Sequence, residues 1–342
     1  MRSGLRVLCG GVAAFLALAL LSGCASSTRR SVAALAEAGD DSAVVARISL
    51  GEPPNDVAVT PDGSRVYATA AGKVFVIDTA GNAVADTITL PHHPAGITIT
   101  PDGSRAYVTD FFSAAVWAID TAANRVAATI EIGPAKAAPT MPAVVVTRNG
   151  SAAYVTNPGD DTLLVIDTAK SFVRARIGLH MHPSGAAVTP DGAFVYVSGC
   201  RGLCSAGMIT VVDTRMYVIS DNVPTAWPLA HIAVNPNGEF TYASGGPALL
   251  VVDTRTNNVV AQIPGELGSK VNITADGALA YVHGSQLAVV DTATNTVAAT
   301  IPLPSGVTSF ALRPDAAVGY FAAPDGLYVI DTRPPKFKPA AR

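Results

Sequence analysis

Six histidines hold much of the reactive potential of this 342-residue chain. They fall in short groups: His92-His93-Pro94, His180-Met181-His182-Pro183, then His231 and His283 singly. Imidazole is a borderline-soft ligand, and the thioethers of Met141 and Met181 lie near the groups in sequence. The set would suit copper or zinc. The plainer reading is that these are loop histidines, exposed or hydrogen-bonded, two of them directly before prolines. Cys200 and Cys204 form a second pair with possible chemistry. No Gly-x-Ser-x-Gly elbow, His-Glu-x-x-His helix or phosphate-binding glycine loop is present, so nothing forces an enzymatic reading. Glu52 and Asn55 come nearest to a metal-assisted hydrolytic site, and two residues do not make one. A lactonase or lyase stays open as an alternative, as does a metal-binding or redox protein.

The elements that must position these residues follow from a repeat. A Thr-Pro-Asp-Gly-like turn recurs at Asp62, Asp102, Asn149, Asp191, Asn237, Asp276 and Asp315. Five residues after each comes a tyrosine: Tyr67, Tyr107, Tyr154, Tyr196, Tyr242, Tyr281 and Tyr320. An apolar-Asp-Thr closes each unit, at Asp78, Asp120, Asp167, Asp213, Asp253, Asp291 and Asp331. The period is about 42 residues, the size of a propeller blade. In the first unit, Asp56 to Thr60, Arg65 to Thr69, Lys73 to Ile77 and Ala83 to Leu90 read as four strands joined by tight turns. The expected fold is all-β: a seven-bladed β-propeller of four-stranded antiparallel blades over residues 43–333. A hydrophobic content of 49% fits blades that are buried on both faces by their neighbours.

The last unit has three strands and then Arg333-Pro334-Pro335, which cannot supply an interior strand. Val44 to Leu50 precedes the first unit and matches the fourth-strand segments Val259 to Pro264 and Val297 to Pro302. The N-terminal strand is therefore expected to complete blade seven and close the ring. Residues 334–342 are left as a Pro/Lys-rich tail.

Residues 1–23 combine Arg2 and Arg6, an apolar run from Gly10 to Leu21, and Leu21-Ser22-Gly23-Cys24. This resembles a bacterial lipoprotein signal, which implies cleavage before Cys24, lipid on Cys24, and a tether over residues 24–42. The address would be the cell envelope, facing outside the cytoplasm, with the membrane contacted through the lipid anchor. In that compartment Cys200 and Cys204, which share an inserted loop, are expected to form a disulfide. A redox pair and half of a metal site are the alternatives. The net charge of −3 becomes more negative once Arg2 and Arg6 are removed, which argues against nucleic acid as a partner. No cofactor is expected.

Tyr107-Val108-Thr109-Asp110 and Tyr154-Val155-Thr156-Asn157, with Ala118-Ile119-Asp120-Thr121 and Val165-Ile166-Asp167-Thr168, resemble the YVTN β-propeller repeat family. The resemblance covers nearly all of residues 43 to 332. It implies a propeller and an envelope location, and leaves the role open. Function should sit where the repeats differ. The Asp-Thr turns are read as side-chain-to-backbone bonding that fixes each turn. The loops leading into each first strand share one face with the loops between second and third strands, and these vary most. They hold His92, His93, His180, His182, His231, His283, Phe111, Phe112, Trp227 and the cysteine loop. This face is the expected binding surface for an envelope protein, peptide or glycan.

Overall fold

A computed structural model describes residues 43–111, 115–133 and 141–334, with 266 and 267 described by backbone alone. The proposed signal, Cys24 and the tether lie outside these residues, as do Phe112, most of the insertion before Pro142 and the tail from residue 335 on. Among the described residues no helix is long and apolar enough to cross a membrane.

The chain folds into seven four-stranded sheets, each with its strands in antiparallel register. Blade one is Asp56–Val59, Arg65–Ala70, Lys73–Asp78 and Ala83–Thr89. Five more blades follow the same order. Blade seven takes Ser309–Leu312, Val318–Ala323 and Gly326–Asp331 from the C-terminal end and Val44–Ile48 from the N-terminal end. Ala46 pairs with Val329 and Ile48 with Leu327, so the ring closes as the sequence predicts.

Seven apolar clusters hold the ring, each shared by two neighbouring blades. Tyr67, Val74 and Val76 of blade one meet Val108, Trp117 and Ile119 of blade two. Ile48, Leu50, Leu327 and Val329 meet Val57, Val66 and Phe75 across the closure. A blade alone would leave such faces in water, so the blades depend on their neighbours.

The repeated polar residues lock this geometry. In the first turn the Thr60 hydroxyl donates to Asp62 Oδ1 at 2.5 Å and the Ser64 amide donates to the same oxygen at 3.0 Å. The Thr60 hydroxyl, followed by the Ser64 bonds, holds the Asp62 carboxyl down at about 2. Thr79 Oγ1 donates to Gly63 O at 2.7 Å, tying the Asp-Thr turn to the Pro-Asp-Gly turn of the same blade.

The tyrosines do something the repeat alone did not reveal. Five of the seven donate across to the next blade. Tyr67 reaches Asn124 Oδ1 at 3.0 Å, Tyr196 reaches Asn257 at 2.7 Å, and Tyr320 reaches Asn82 at 3.2 Å across the closure. These asparagines lie four residues after the closing Asp, at φ of 48°, 54° and 47°. Asparagine tolerates that left-handed conformation. Blade three has Ser171 at the equivalent position, and the Tyr107 hydroxyl facing that blade is buried without a partner among the described residues. The threonine two residues after the tyrosine adds a further link: Thr69 Oγ1 donates to Ala95 O at 2.6 Å, and Thr109 Oγ1 to Pro142 O at 2.9 Å.

Candidate functional site

All seven inner strands line one channel of about 1040 Å³ along the ring axis. Each inner strand pairs on one side only, so its other edge faces this space. Near the varied face, one register position on each inner strand sits opposite the end of the second strand. Asp56 faces Thr69 there, Gly185 faces Ser198, His231 faces Ser244, Lys270 faces His283 and Ser309 faces Ala322. Gly96 and Ala143 occupy the position in blades two and three. The ring is therefore lopsided. Blades two to four contribute no side chain larger than a methyl group. At Gly96 even that would be too much, since a Cβ there would lie 2.6 Å from Pro142 O. Blades five, six, seven and one contribute His231, Lys270, Ser309 and Asp56.

Asp56, Lys270 and Ser309 form a hydrogen-bonded network, and His231 lies on the neighbouring inner strand. Lys270 Nζ donates to Asp56 Oδ1 at 2.6 Å and to Ser309 Oγ at 2.8 Å. The Ser309 hydroxyl donates to Asp56 Oδ1 at 2.5 Å. The Val57 amide donates to Oδ1 at 2.9 Å and the Ile97 amide to Oδ2 at 3.0 Å. Burial alone would push the Asp56 carboxyl up. The Lys270 ammonium and the hydrogen bonds outweigh burial and hold it below 3.8. The Val271 amide points at His231 Nδ1, 3.5 Å away. Burial, then the charge of Lys270, pushes His231 down to about 3, so it stays neutral at physiological pH. His283 lies behind Lys270, with Nδ1 2.8 Å from Ser269 Oγ, and is lowered by burial and by the Lys270 charge.

The other residues singled out from sequence scatter. His92, His93 and His180 are exposed. His182 begins its inner strand and its Nδ1 lies 2.7 Å from Asp161 Oδ1. Met181 is a core residue whose sulfur accepts a hydrogen bond from Thr210 Oγ1 at 3.5 Å. Among the described residues no group of three His, Cys, Asp or Glu side chains could hold a metal ion. Asn55 Nδ2 is taken up by Pro94 O at 2.8 Å, and Glu52 pairs with Lys73 at 2.7 Å. Cys200 and Cys204 are a disulfide-capable pair, with Cα atoms 4.8 Å apart, on the hairpin that carries the fully exposed Leu203. Phe111 is half-buried, and its amide donates to His93 O at 2.9 Å. Trp227 is half-buried against the cluster between blades four and five. Its indole lies over Gly246, where any Cβ would collide with the ring. It is as much a packing residue as a surface anchor.

Lys270, Ser309 and Asp56 were not singled out from the sequence. They are 253 residues apart at the extremes, joined only by ring closure. The available clue was the register itself. Aligned on the residue two after each repeat tyrosine, the facing position of the first strand is Gly or Ala in three blades and polar in four.

The chain is thus a seven-bladed β-propeller with one generic face, one varied face and a one-sided polar network at the channel mouth. No family model matches the chain, and no curated protein matches it. Among solved structures it is similar to a chain of hydrazine synthase from Kuenenia stuttgartiensis, with a TM-score of 0.75 and 17% identity over 85% of this chain and 99% of that one. At that identity the likeness is one of fold.

Proposed function

We propose that this is a non-catalytic, lipid-anchored envelope propeller of the kind the YVTN repeats suggest, which binds a protein, peptide or glycan through its varied face. The observation that carries the reading is the contrast between the faces. On one face the same Thr-Asp and Thr-Gly bonds recur from blade to blade. On the other, the loops differ in length and residue type and surround the channel mouth. Loops released from a structural repeat are where recognition concentrates.

The test uses full-length protein in its native membrane with photo-crosslinkers on each face. A Phe111→Ala, Phe112→Ala pair should keep its melting temperature and lose its crosslinked partner. Arg215→Ala, on an exposed turn of the generic face, should keep it. Arg65 would be a poor control, because its guanidinium donates to Thr121 O of the next blade at 2.9 Å. Cys24→Ala should lose both fatty-acid labelling and membrane retention. Equal behaviour of the two faces, or lipid on the Cys24→Ala protein, would refute the reading.

A further inference from the structure

Resting on that reading, we infer that the channel mouth is a binding site for the free carboxylate end of a peptide. The first ground is a set of unused donors. Asp56 accepts from Lys270, Ser309, the Val57 amide and the Ile97 amide, so its oxygens are satisfied. Lys270 donates two of its three N–H groups, and the third has no partner among the described residues. His231 directs Nδ1 at the Val271 amide, so the proton of the neutral ring sits on Nε2. That N–H has no partner among the described residues either, and His231 lines the channel half-buried. Ser184, on the neighbouring wall, is committed to Leu229 O at 2.7 Å. Among the described residues lining it, the mouth therefore offers donors and no free carboxylate acceptor, which selects an acceptor-only group.

The second ground is the shape of the space. Gly96, Ala143 and Gly185 leave the opposite side clear at this level, and the volume lies at the upper end of ordinary ligand sites. The third ground is the wall. Seven strand edges present backbone N–H and C=O groups toward the channel. An extended peptide pairs with such edges. A glycan would find few ring-stacking surfaces there, as Phe310 is fully buried in the blade interface. A chain end enters a channel where a chain middle cannot.

The probe is acetyl-trialanine as free acid and as amide, titrated into the full protein. Heat and the ring resonances of His231 report binding. A charge-assisted hydrogen bond to Lys270 should make the acid at least about tenfold tighter than the amide. His231 signals should shift with the acid. Lys270→Met should abolish the difference. His231→Phe, which removes only a neutral donor, should weaken the acid several-fold and serves if Lys270→Met does not fold. Equal binding of acid and amide, or no shift at His231 with either, overturns the inference. Binding of glucuronate with none of the tripeptide overturns it in favour of an acidic glycan. The acid-against-amide comparison needs no envelope partner. A failed carboxylate site and a failed varied-face reading thus give different results.

Discussion

Replacing Lys270 with Met should destabilise the ring by stranding the buried charge of Asp56. The side chains of Lys270 and Asp56 are only 17% and 15% exposed. Removing one partner of a buried pair leaves the other charge uncompensated and costs about 3–5 kcal/mol. The channel gives Asp56 some access to water, so the lower end, about 3 kcal/mol, is expected here. At roughly 2 °C per kcal/mol for a domain of this size, Tm should fall by about 6 °C. Adding Asp56→Asn to Lys270→Met removes the stranded charge while keeping an acceptor for the Ile97 amide. The double variant should recover part of the loss.

The pH dependence gives a second check. The folded pKa of Asp56 lies below 3.8. Its contribution is therefore fully present above the unfolded value and is lost as pH falls through the folded one. Without Lys270, burial pushes the same carboxyl upward, so the variant loses its penalty by protonating at milder pH. The gap between wild type and Lys270→Met should be flat from about pH 6 to 8 and narrow below. Urea unfolding at pH 7 and pH 4 measures both. A loss under about 0.5 kcal/mol at pH 7, or a gap that widens in acid, would refute the reasoning.

Ser171→Asn should give the orphaned Tyr107 hydroxyl the partner that Asn124, Asn257 and Asn82 give the equivalent tyrosines, raising stability by about 1 kcal/mol. An unchanged or lower Tm would refute it. Deleting residues 44–50 removes the outer strand of blade seven along with Ile48 and Leu50, which are 5% and 8% exposed in the closure cluster. That variant should lose cooperative unfolding or melt far lower, and an unchanged melting temperature would refute the closure.

The blade count, the strand order and the closing N-terminal strand were legible because each is local or periodic. Pro61-Asp62-Gly63 dictates its own turn, and Val44 to Ile48 has the same character as the outer strands. The links between blades were less legible. The Asn four residues after a closing Asp reads as a turn residue, and its work as an acceptor for Tyr67 or Tyr196 appears only when blades are side by side. The channel network was hidden for a stronger reason. Asp56, Lys270 and Ser309 stand at equivalent places in three repeats, and each looks like ordinary variation within its own repeat. Histidines drew attention by type. Of the six, His231 stands at the same register position as the network residues, as a neutral ring that accepts from the Val271 amide.

The position of the network within the ring explains why it falls where it does. Blade seven is the one blade assembled from both ends of the chain, so its integrity cannot rest on chain connectivity alone. Its outer edge is covered by Val44–Ile48. At its inner edge stands Ser309, and Lys270 of blade six reaches past it to Asp56 of blade one. The same bond spans the seam from the channel side. The closure is therefore held at two radii, by a strand on the rim and by an ion pair at the axis. Opening the seam requires losing both, and the axial half is lost only with the desolvated charge of Asp56 exposed or protonated. A ring closed in this way keeps its mouth at fixed geometry, because the residues that hold blades six, seven and one together also define the polar side of the channel. Rigidity at the seam and a preorganised donor set are then consequences of one arrangement.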